Sequence, residues 1–525
     1  MKNNIFSDYK YNKIIGKYYI EGLIKTITPI KIGNGEENNS DDDLIRDWDN
    51  IPFIPGTTIA GILRHYVSNI IDENENTKNI LNLFFGFDSI KLSKLGNMKN
   101  SEDQEISTKS MAVFYDAFPI IKETQNITNH ITIRDNVKID NETGIAVDNS
   151  KFDYEILEPP CTFKLRIEIT IRDIINHLSL FLENNQNTVT NNENIHIKYI
   201  EDFIFLILEG FQNNKIRVGS KTTRGFGKVS LEDLKIHRFR VYDNKEDSDV
   251  TNTIEKMINF QWDTNNDSKY RIKVEKLHHN VIPLKKKRDI MIEAEFIVPY
   301  SILIRSLNPN PNEEDYQHLS YKYNEQGIEE SRAIISGTSW SGALKASIEN
   351  IGDEIGKKDY IYNKVKKIFG YNDGARTYKS RISINESIIF SNNKMLEYTR
   401  NKIDRFTSGT IDGALFTEKP SFEGRVKLEI SFLSTVEDYE IGLIILGLMD
   451  LTNGIQPIGG ANSIGRGILK GKNLIISFWD LENRQKRKEI KIEDFYNMPL
   501  EDGTNWSELT PYIKNLANEL NKNTF

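Results

Sequence analysis

Residues 54–64 have the sequence IPGTTIAGILR, and residues 335–345 have the sequence ISGTSWSGALK. The two stretches match without a gap: Gly56 matches Gly337, Gly61 matches Gly342 and Arg64 matches Lys345. Self-similarity within one chain predicts a structural unit that occurs more than once. These eleven residues therefore give the first indication that the chain contains the same module twice.

Three further landmarks recur in the same order as this helix start. A Phe-Gly pair occurs at residues 85–86 and 369–370, VKIDNETG at 137–144 corresponds to KIDRFTSG at 402–409, and VGSKTTRGFG at 218–227 corresponds to IGGANSIGRG at 458–467. Four matches in one order favour a duplication over chance. Because residues 243–252 are polar and charged, we predict a first domain at 1–245, a linker at 246–288 and a second domain at 289–525.

Both halves show the same alternation of strand and helix signals. Each opens with a strand rich in β-branched residues, at 20–32 and 290–304. A helix with apolar residues at 59, 62, 63, 66, 67, 70 and 71 follows in the first half, and Thr57 or Thr58 could supply its N-cap oxygen. Alternating strands, apolar helices and closing strands then complete a β-α-β-α-β order. The prediction is an α+β protein made of two tandem ferredoxin-like (RRM-like) domains.

The composition limits the kinds of function that the chain can have. The net charge is −8 and the sequence pI is about 5.7, so any nucleic-acid site must be a local basic surface on an acidic body. Cys161 is the only cysteine, which excludes a disulfide framework and a cysteine zinc site. Neither a signal peptide nor an apolar run long enough to span a membrane is evident, so we expect no membrane partner and a cytoplasmic location.

Repeated glycines and cations mark two kinds of candidate phosphate site. A helix that starts at Gly-Thr presents free N–H groups and a positive dipole end, and glycine-rich loops let backbone amides approach an anion. Ordinary capping with a surface base, and tight turns, would leave the same pattern. The candidate RNA-binding residues of the helix starts and glycine loops are Thr57, Thr58, Arg64, Gly219, Ser220, Lys221, Arg224, Gly225, Gly227, Lys228, Thr338, Ser339, Lys345, Gly459, Gly460, Gly465, Arg466 and Gly467.

These motifs together resemble the RAMP superfamily of CRISPR proteins. The helix starts, the glycine loops and the segments at 133–146 and 402–420 are similar to those of its Cas-seven branch, which forms the backbone of type III complexes. Ser336 departs from the usual proline, and the second loop before the helix is longer than the first. The resemblance implies a tandem Cas-seven-type subunit. Its partners would be a crRNA guide, single-stranded target RNA, a large polymerase-like subunit, a Cas-five-like cap and other RAMP subunits.

The same resemblance identifies residues 133–146 and 402–420 as inserted thumb hairpins. Such a thumb kinks the guide–target duplex and flips out a nucleotide pair. Arg134, Lys138, Lys402 and Arg405 would then contact RNA beside apolar residues that unstack bases. The alternative is a plain hairpin with solvated charges.

The resemblance also implies target-RNA cleavage by a loop aspartate with Mg²⁺ or Mn²⁺. In the first half its spacing selects Asp41 as the catalytic and metal-binding residue, with Asp42 one position away. In the second half the candidate is Asp315. A carboxylate there could hold the ion or position the attacking 2′-hydroxyl. The alternative is an acidic loop that is merely solvated.

Three functions remain open at this point. The chain could bind the guide and also cleave target RNA as a metal-dependent endoribonuclease, or it could be a non-catalytic RNA-binding scaffold. It could also be a ribonuclease that processes the guide precursor. That chemistry often uses histidine as general acid and base. The eight histidines do not recur at matching positions of the two halves, so this function ranks third.

Overall fold

The structure is a computed structural model of the whole chain. It describes residues 14–38, 40–72, 74–91, 105–120, 127–140, 143, 145–172, 195–241, 250–263, 268–307, 315–325, 328–372, 374, 377–390, 396–433, 435–482, 485–496 and 506–522.

The first half is one antiparallel sheet with helices against one face. Its elements are β1 (Ile14–Thr26), α1 (Gly56–Ile70), α2 (Glu75–Phe85), β2 (Phe87–Lys91), β3 (Glu105–Thr108), β4 (Ala112–Phe114), β5 (Ile131–Asn136), β6 (Phe152–Leu157), β7 (Thr162–Arg172), α3 (Ile195–Gln212), β8 (Val229–Arg240), α4 (Val250–Ile258) and β9 (Arg271–Ile272). The sheet has the order β4-β7-β1-β8-β9, in which β1 lies between the two long strands β7 and β8. The order β4-β7-β1-β8 is that of a ferredoxin-like domain.

The second half repeats this topology with additional edge strands. Its elements are β10 (Arg288–Ile302), β11 (Arg305–Leu307), β12 (Tyr316–His318), β13 (Ser320–Glu325), β14 (Ile328–Ile335), α5 (Gly337–Glu354), α6 (Lys358–Phe369), β15 (Tyr371–Asn372), β16 (Thr377–Tyr378), β17 (Ile382–Ile384), β18 (Ser387–Phe390), β19 (Tyr398–Arg400), β20 (Phe416–Lys419), β21 (Ser421–Phe432), α7 (Asp438–Thr452), β22 (Lys470–Asp480), β23 (Gln485–Glu493) and α8 (Thr510–Lys522). The central strand order is β18-β21-β10-β22, with the hairpin β13–β14 added at one edge and β23 at the other.

The structure confirms the predicted fold class, two ferredoxin-like domains in an α+β chain. The strands alternate buried and half-buried residues, as in the pattern of β7, because one face of each sheet packs on helices. Each half has its own buried hydrophobic cluster. A hairpin is inserted before the third long strand of each domain: β5–β6 in the first half and β19–β20 in the second.

The first helix is not capped as the sequence predicted. Neither Thr57 nor Thr58 caps α1: Pro55 occupies the N-cap position without a side-chain bond, and the N–H of Gly56 donates to Asp116 Oδ1 at 2.6 Å. Glycine is required at position 56 because a Cβ there would collide with the carbonyl oxygen of Phe114. In the second half Ser336, the residue that departs from the family's proline, caps α5 by accepting from the N–H of Ser339.

The segment 246–288 packs on the first half over the part that the structure describes. Strand β9 pairs with β8, and Leu277 and Ile282 join the first hydrophobic cluster. The carboxylate of Asp202, fully buried on α3, accepts the N–H groups of Val281 and Ile282 at 2.7 Å each. Residues 268–288 with α4 therefore extend the first domain and connect it to β10, while residues 242–249 and 264–267 lie outside the described residues.

The two halves meet through the loop at residues 218–227, which we call the first glycine loop. A Cβ on Gly225 would lie 2.6 Å from the nitrogen of Glu386 and 2.8 Å from the oxygen of Ile384, so the backbone of the loop touches the backbone of the other half. The carbonyl oxygen of Arg224 likewise lies where a Cβ of Gly337 would be. The hydroxyl of Ser383 donates to the Thr222 carbonyl oxygen at 2.8 Å.

Charged side chains surround this backbone contact. Arg134 of the first half, itself buried, forms an ion pair with Glu386 of the second half, and Lys228 Nζ lies 3.0 Å from Glu429 Oε1. Arg217 donates to Asn385 Oδ1 at 2.6 Å, and Lys215 pairs with Asp289. The contact combines close backbone packing with paired charges, which fixes one orientation of the halves because unpaired buried charges are costly.

Matched substitutions of the two equivalent loop glycines test this contact. Gly225 and Gly465 both have positive φ, +94° and +82°, so alanine costs about 1 kcal/mol of backbone strain at either position. Only at Gly225 would the new methyl group also meet the other half, and overpacking of this kind costs a further 1–3 kcal/mol, roughly. Urea unfolding should therefore show Gly225→Ala clearly less stable than Gly465→Ala. Equal stability of the two variants would contradict the contact.

Candidate nucleic-acid interface

Three sequence motifs of the first half come together at one place. They are the loop at residues 33–54, which we call the first acidic loop, the hairpin β5–β6 and the first glycine loop. The N–H of Ser220 in the glycine loop donates to the Lys31 carbonyl oxygen at 2.7 Å, and the N–H of Glu155 in the hairpin donates to the Asp42 carbonyl oxygen at 3.2 Å. Lys221 Nζ lies 3.9 Å from the centre of the Tyr154 ring. The fold thus assembles a site from segments that are far apart in the sequence.

Within the first acidic loop, Asp42 has a structural partner. The ammonium group of Lys31 is fully buried, and burial lowers its pKa even though nearby carboxylates oppose the shift. Lys31 Nζ lies 3.1 Å from Asp42 Oδ1 and also donates to the main-chain oxygens of Asp42 and Asp43. Asp42 therefore neutralises a buried cation and holds the loop in place.

Asp41 is placed differently from its neighbour. It is exposed, its Oδ2 accepts the N–H of Asp153 at 2.9 Å, and its own N–H donates to Asp153 Oδ1 at 2.9 Å. Asp153 lies on β6, the returning strand of the hairpin. Two carboxylates are consequently held next to each other at the base of the hairpin, on the surface.

Asp315 has the same arrangement in the second half. It is exposed, its Oδ2 accepts the N–H of Thr417 at 2.7 Å, and its own N–H donates to Thr417 Oγ1 at 3.0 Å. Thr417 lies on β20, the returning strand of the second hairpin, where Asp153 lies on the first. The structure thus places Asp41 and Asp315 at equivalent positions, and it separates Asp42 from both.

The two hairpins also share the conformation of their tips. The N–H of Thr143 donates to Asp140 Oδ1, and the N–H of Thr407 donates to Asp404 Oδ1, both at 2.8 Å. Isolated bridges pair Ile139 with Ala146 and Ile403 with Thr410. Both hairpins project apolar side chains into solvent, and Phe406 is 98% exposed. The other exposed apolar residues of the hairpins include Val137, Ile139, Ile145, Ile403 and Leu415.

Three of the predicted RNA-binding cations are engaged inside the protein. Burial by itself would lower the pKa of Arg134, but the carboxylates of Glu158 and Glu386 outweigh the effect of burial and raise that pKa. Arg466 is also buried, with its Nη1 2.8 Å from Glu418 Oε2. Lys228 pairs with Glu429 across the contact between the halves. These cations complete ion pairs of the fold, so we leave them out of the proposed RNA surface.

The two candidate cations within the helices, Arg64 and Lys345, also have partners inside the protein. Arg64 donates to the carbonyl oxygen of Gly86 at 3.0 Å and to Asn82 Oδ1 at 2.9 Å, joining α1 to the end of α2. Lys345 is half-buried and lies 3.8 Å from Glu349, one turn further along α5. Both side chains therefore belong first to helix packing.

The helix starts differ between the halves. Thr57 is exposed and Thr58 half-buried, whereas Thr338 and Ser339 are half-buried and their hydroxyls lie 2.9 Å from Ser336 Oγ. Because Arg224 of the other half packs against Gly337, the second helix start is part of the contact between the halves. Only the first helix start is open to a ligand.

Most glycines of the two loops have a packing reason. A Cβ at Gly219 would meet the Lys31 carbonyl oxygen and one at Gly459 would meet the Leu303 carbonyl oxygen. A Cβ at Gly227 or Gly467 would meet the carbonyl oxygen of the first residue of its own loop, Val218 or Ile458. Gly460 faces the Arg305 side chain, and Gly225 faces the other half. Among the described residues, no atom lies within 4 Å of the Cβ position of Gly465, but its φ of +82° at the end of a 3-10 turn favours glycine. Close packing or a tight turn therefore accounts for all of these glycines.

Exposed cations remain around both sites. Arg224 and Ser220 are exposed at the first site beside half-buried Lys221, and Lys138, Lys402 and Arg405 are exposed on the hairpins. Arg305, which no sequence motif indicated, is exposed and lies 5.0 Å from the Tyr316 ring centre in the second half. The corresponding residue of the first half is Gly33, so the repeat carried no signal for it.

The donor sets fit a divalent ion only in part. Among the described residues no group of three or more His, Cys, Asp or Glu side chains could hold a metal by itself. Mg²⁺, however, is commonly held by one or two carboxylates together with substrate phosphates and water. Asp41 with Asp153 meets that requirement, and Asp315 with the Thr417 hydroxyl offers a single carboxylate.

Three histidines, His130, His237 and His318, are buried and offer little for acid–base catalysis. His318, which lies in the sequence beside Asp315, is buried between two carbonyl oxygens, and burial lowers its pKa to about 4. His130 and His237 are also buried, and burial lowers the pKa of each. A buried neutral imidazole cannot reach an RNA phosphate.

Comparison with known protein families agrees with this architecture. The family model described as RAMP superfamily matches residues 23–230 and 320–470, one match in each half and together more than half of the chain. No curated protein matches the sequence. Of the helices in the described part of the chain, none is sufficiently long and apolar to cross a membrane.

Lys221 provides a pH test of the first site. Burial and then the nearby Arg224 lower its pKa to about 8, while Asp42 opposes the shift. Because a polyanion prefers the protonated amine, RNA affinity should fall by up to about tenfold between pH 7 and pH 9 as this lysine loses its charge. Fluorescence anisotropy at fixed salt measures the change.

The matched variant for this test is Lys221→Arg, since a guanidinium stays charged over the whole range. In this variant the RNA affinity should change between pH 7 and pH 9 only as far as other titrating groups of the chain cause it to change. If the wild-type chain and Lys221→Arg gave the same pH profile, Lys221 would not contact RNA.

Proposed function

Because this chain belongs to the RAMP superfamily, whose members are RNA-binding subunits of CRISPR-associated complexes, we propose that it is a guide-RNA-binding backbone subunit of a type III complex that also cleaves target RNA. Its partners would then be the crRNA, single-stranded target RNA, the large polymerase-like subunit, a Cas-five-like cap and other RAMP subunits, in the cytoplasm. The observation that carries the proposal is the duplicated site. In each half an exposed loop aspartate is bonded to the returning strand of an exposed hairpin.

RNA binding to an acidic chain must rely on local cations. Lys221 and Arg224 provide them at the junction of the two halves, and Lys402, Arg405 and Arg305 provide them at the second site. Contacts of this kind bind backbone phosphates without reading sequence, which suits a subunit that carries guides of many sequences. Guide RNA would lie along the junction, where the first glycine loop meets the second domain.

The hairpins would act on the bases rather than on the backbone. Their tips carry exposed apolar side chains next to cations: Ile139 beside Lys138, and Phe406 beside Arg405. An apolar side chain that enters a base stack replaces base–base contacts, while neighbouring cations hold the phosphates. Each hairpin would thus open the duplex at one position, next to the loop aspartate of the same half.

Cleavage would use Asp41 and Asp315 at these opened positions. Their carboxylates are exposed and fixed in orientation by the N–H of Asp153 and of Thr417, so each could orient the attacking 2′-hydroxyl towards the phosphate. A bound Mg²⁺ or Mn²⁺ supplies charge neutralisation at the scissile phosphate, and Asp41 with Asp153, or Asp315 alone, would hold it. Asp42 has no part in this chemistry, because it pairs with Lys31.

A non-catalytic scaffold is the second candidate function, since the same surfaces would bind RNA without cleaving it. The exposed position of both aspartates favours cleavage. A guide-processing ribonuclease has less support, because His130, His237 and His318 are buried and the eight histidines do not recur at matching positions of the two halves.

Asparagine variants of the loop aspartates distinguish cleavage from binding. Asp41→Asn and Asp315→Asn retain an oxygen that can accept the hairpin N–H but lose the charge. Each should lower the rate of cleavage at one target position by about 100-fold or more, with unchanged RNA affinity. The measurement is single-turnover cleavage of a labelled target by the assembled complex.

Asp42→Asn is the control for these variants. It removes the charge that faces buried Lys31, so we expect a loss of about 1–3 kcal/mol of stability and cleavage that persists in the folded fraction. Full cleavage by the double variant Asp41→Asn/Asp315→Asn would leave the scaffold as the function of this chain.

The second hairpin permits a separate test of binding. Removing two phosphate contacts with Lys402→Ala/Arg405→Ala should weaken RNA binding for all sequences alike. The slope of log Kd against log salt concentration should decrease by the amount expected for about two phosphate contacts. The matched control is Lys286→Ala, a strongly exposed lysine away from the hairpins, 3.9 Å from Glu482. The hairpin has no role in binding if the double variant and the control bind RNA equally well.

A further inference from the structure

A group of tyrosines and lysines lies on the surface of the second half, outside the motifs described above. It is formed by the end of α6 and by the short hairpin β15–β16, and we call it the tyrosine–lysine patch. It shares no residue with the loops of Asp41 and Asp315, the inserted hairpins or the glycine loops. Its members are Tyr362, Lys366, Lys367, Tyr371, Tyr378 and Lys379.

The side chains of the patch contact one another. Lys366 Nζ lies 4.2 Å from the ring centre of Tyr362 and 4.3 Å from that of Tyr371, so one ammonium group touches two rings. Tyr371 is paired with Tyr378 across the hairpin, and directly opposite residues of an antiparallel pair lie on the same face. Tyr362 is 42% exposed and Tyr378 is 46% exposed. The patch therefore presents aromatic surface to solvent next to a cation.

The lysines of the patch differ from their neighbours in the charges around them. Among the residues that the structure describes, no carboxylate forms an ion pair with Lys366, Lys367 or Lys379. In a chain with a net charge of −8, three such cations on one surface indicate an anionic ligand. Other lysines of α5 and α6 do form ion pairs, namely Lys345 with Glu349, Lys358 with Asp353 and Lys364 with Glu519.

The patch also reaches the first half of the chain. Lys379 Nζ lies 3.3 Å from Nε2 of His65, which belongs to α1. Burial lowers the pKa of His65, and the ammonium group of Lys379 lowers it further. His65 is thus held neutral beside the patch, and it does not add a carboxylate or any other negative charge to it.

The sequence of the first half lacks most of this patch. The repeated Phe-Gly pairs, together with Ser110 and Ser380, which each donate to a carbonyl oxygen at the end of the preceding helix, align the two halves in this region. The patch is therefore a feature of the second half and not part of the duplicated site. In this alignment Lys366 corresponds to Asn82, Lys367 to Leu83 and Tyr378 to Thr108.

We propose that the tyrosine–lysine patch binds a single-stranded nucleic acid, at a site separate from the loop aspartates and the inserted hairpins. The tyrosine rings stack on bases while the lysines bind the phosphates, a combination that holds single strands with little regard to sequence. A duplex fits less well, because its bases are stacked on each other and leave no free face for the rings. An acidic protein segment would satisfy the lysines and leave the exposed rings unused.

Crosslinking locates the strand on the full-length chain. The probe is an oligouridylate of about 12 nucleotides that carries 4-thiouridine, a length within the usual range for one single-strand site. Ultraviolet irradiation followed by peptide mapping should identify Tyr362, Tyr371 or Tyr378 as attachment sites. Crosslinks that all lie outside residues 362–379, or no crosslink at all, would overturn the proposal.

Paired substitutions measure the contribution of the rings. Tyr362→Ala/Tyr378→Ala should weaken binding of the oligouridylate by about tenfold or more in fluorescence anisotropy, and Tyr362→Phe/Tyr378→Phe should retain it, because phenylalanine keeps the stacking face. Lys402→Ala/Arg405→Ala serves as the background for all variants, so that binding at the second hairpin is reduced. Thermal unfolding checks that the fold is retained.

The matched control for these substitutions is Tyr496→Ala, an exposed tyrosine of the second half outside the patch. It should bind the oligouridylate as the background chain does. The patch is not a nucleic-acid site if the double alanine variant binds as tightly as this control. Displacement of the strand by polyglutamate as effectively as by unlabelled oligouridylate would identify an acidic protein segment as the ligand and also overturn the proposal.

This proposal goes beyond the proposed function and can fail independently of it. Tyr362→Ala/Tyr378→Ala should leave target cleavage by the assembled complex unchanged, because the patch contains none of the residues assigned to binding or cleavage there. A loss of cleavage in this variant would place the patch in the path of guide and target and overturn a separate site. Failure of the wild-type complex to cleave target RNA would count against the proposed function alone.

Discussion

The close approach of two backbones at Gly225 and Gly337 is the constraint on which the architecture of this chain depends. No side chain fits at Gly225 or Gly337, where the first glycine loop touches the backbone of residues 384–386 and of Arg224 respectively, so the contact requires glycine at both positions. The buried pair of Arg134 and Glu386 adds specificity, because separating the halves would break this ion pair while Arg134 kept only Glu158. The first site lies beside this contact, since Lys221 and Arg224 belong to the loop that makes it.

The duplication explains what could be predicted from the sequence. Two copies of one pattern allowed the ferredoxin-like fold to be derived twice, and the hairpins coincide with a motif that recurs in order. The loop aspartates came from the family resemblance alone. In the structure Asp41 and Asp315 make equivalent bonds to the hairpins, and their catalytic role stays a prediction.

The roles of the cations could not be predicted in the same way. In a sequence, an arginine or lysine next to a glycine loop looks the same whether its side chain contacts RNA or the other half of the chain. Arg134, Lys228 and Arg466 proved to be partners of carboxylates that lie far away in the sequence. The N-cap prediction at Thr57 and Thr58 failed for the same reason, since Asp116, just after β4, supplies the oxygen from a distant part of the sequence. The two copies also differ from each other, which makes such roles harder to predict. The second site has Thr417 where the first has Asp153. The glycine loop at residues 458–467 has Ile464 where the first glycine loop has Arg224.

We propose that one RNA passes two equivalent hairpins, each of which would open it next to a loop aspartate. The decisive measurement uses a guide–target duplex in which 2-aminopurine is moved stepwise along the target strand, because its fluorescence rises when a base leaves the stack. We expect two separated positions of high fluorescence in the assembled complex, with Phe406→Ala abolishing one and leaving the other. Uniformly quenched fluorescence along the whole duplex, or a profile that Phe406→Ala does not change, would contradict it.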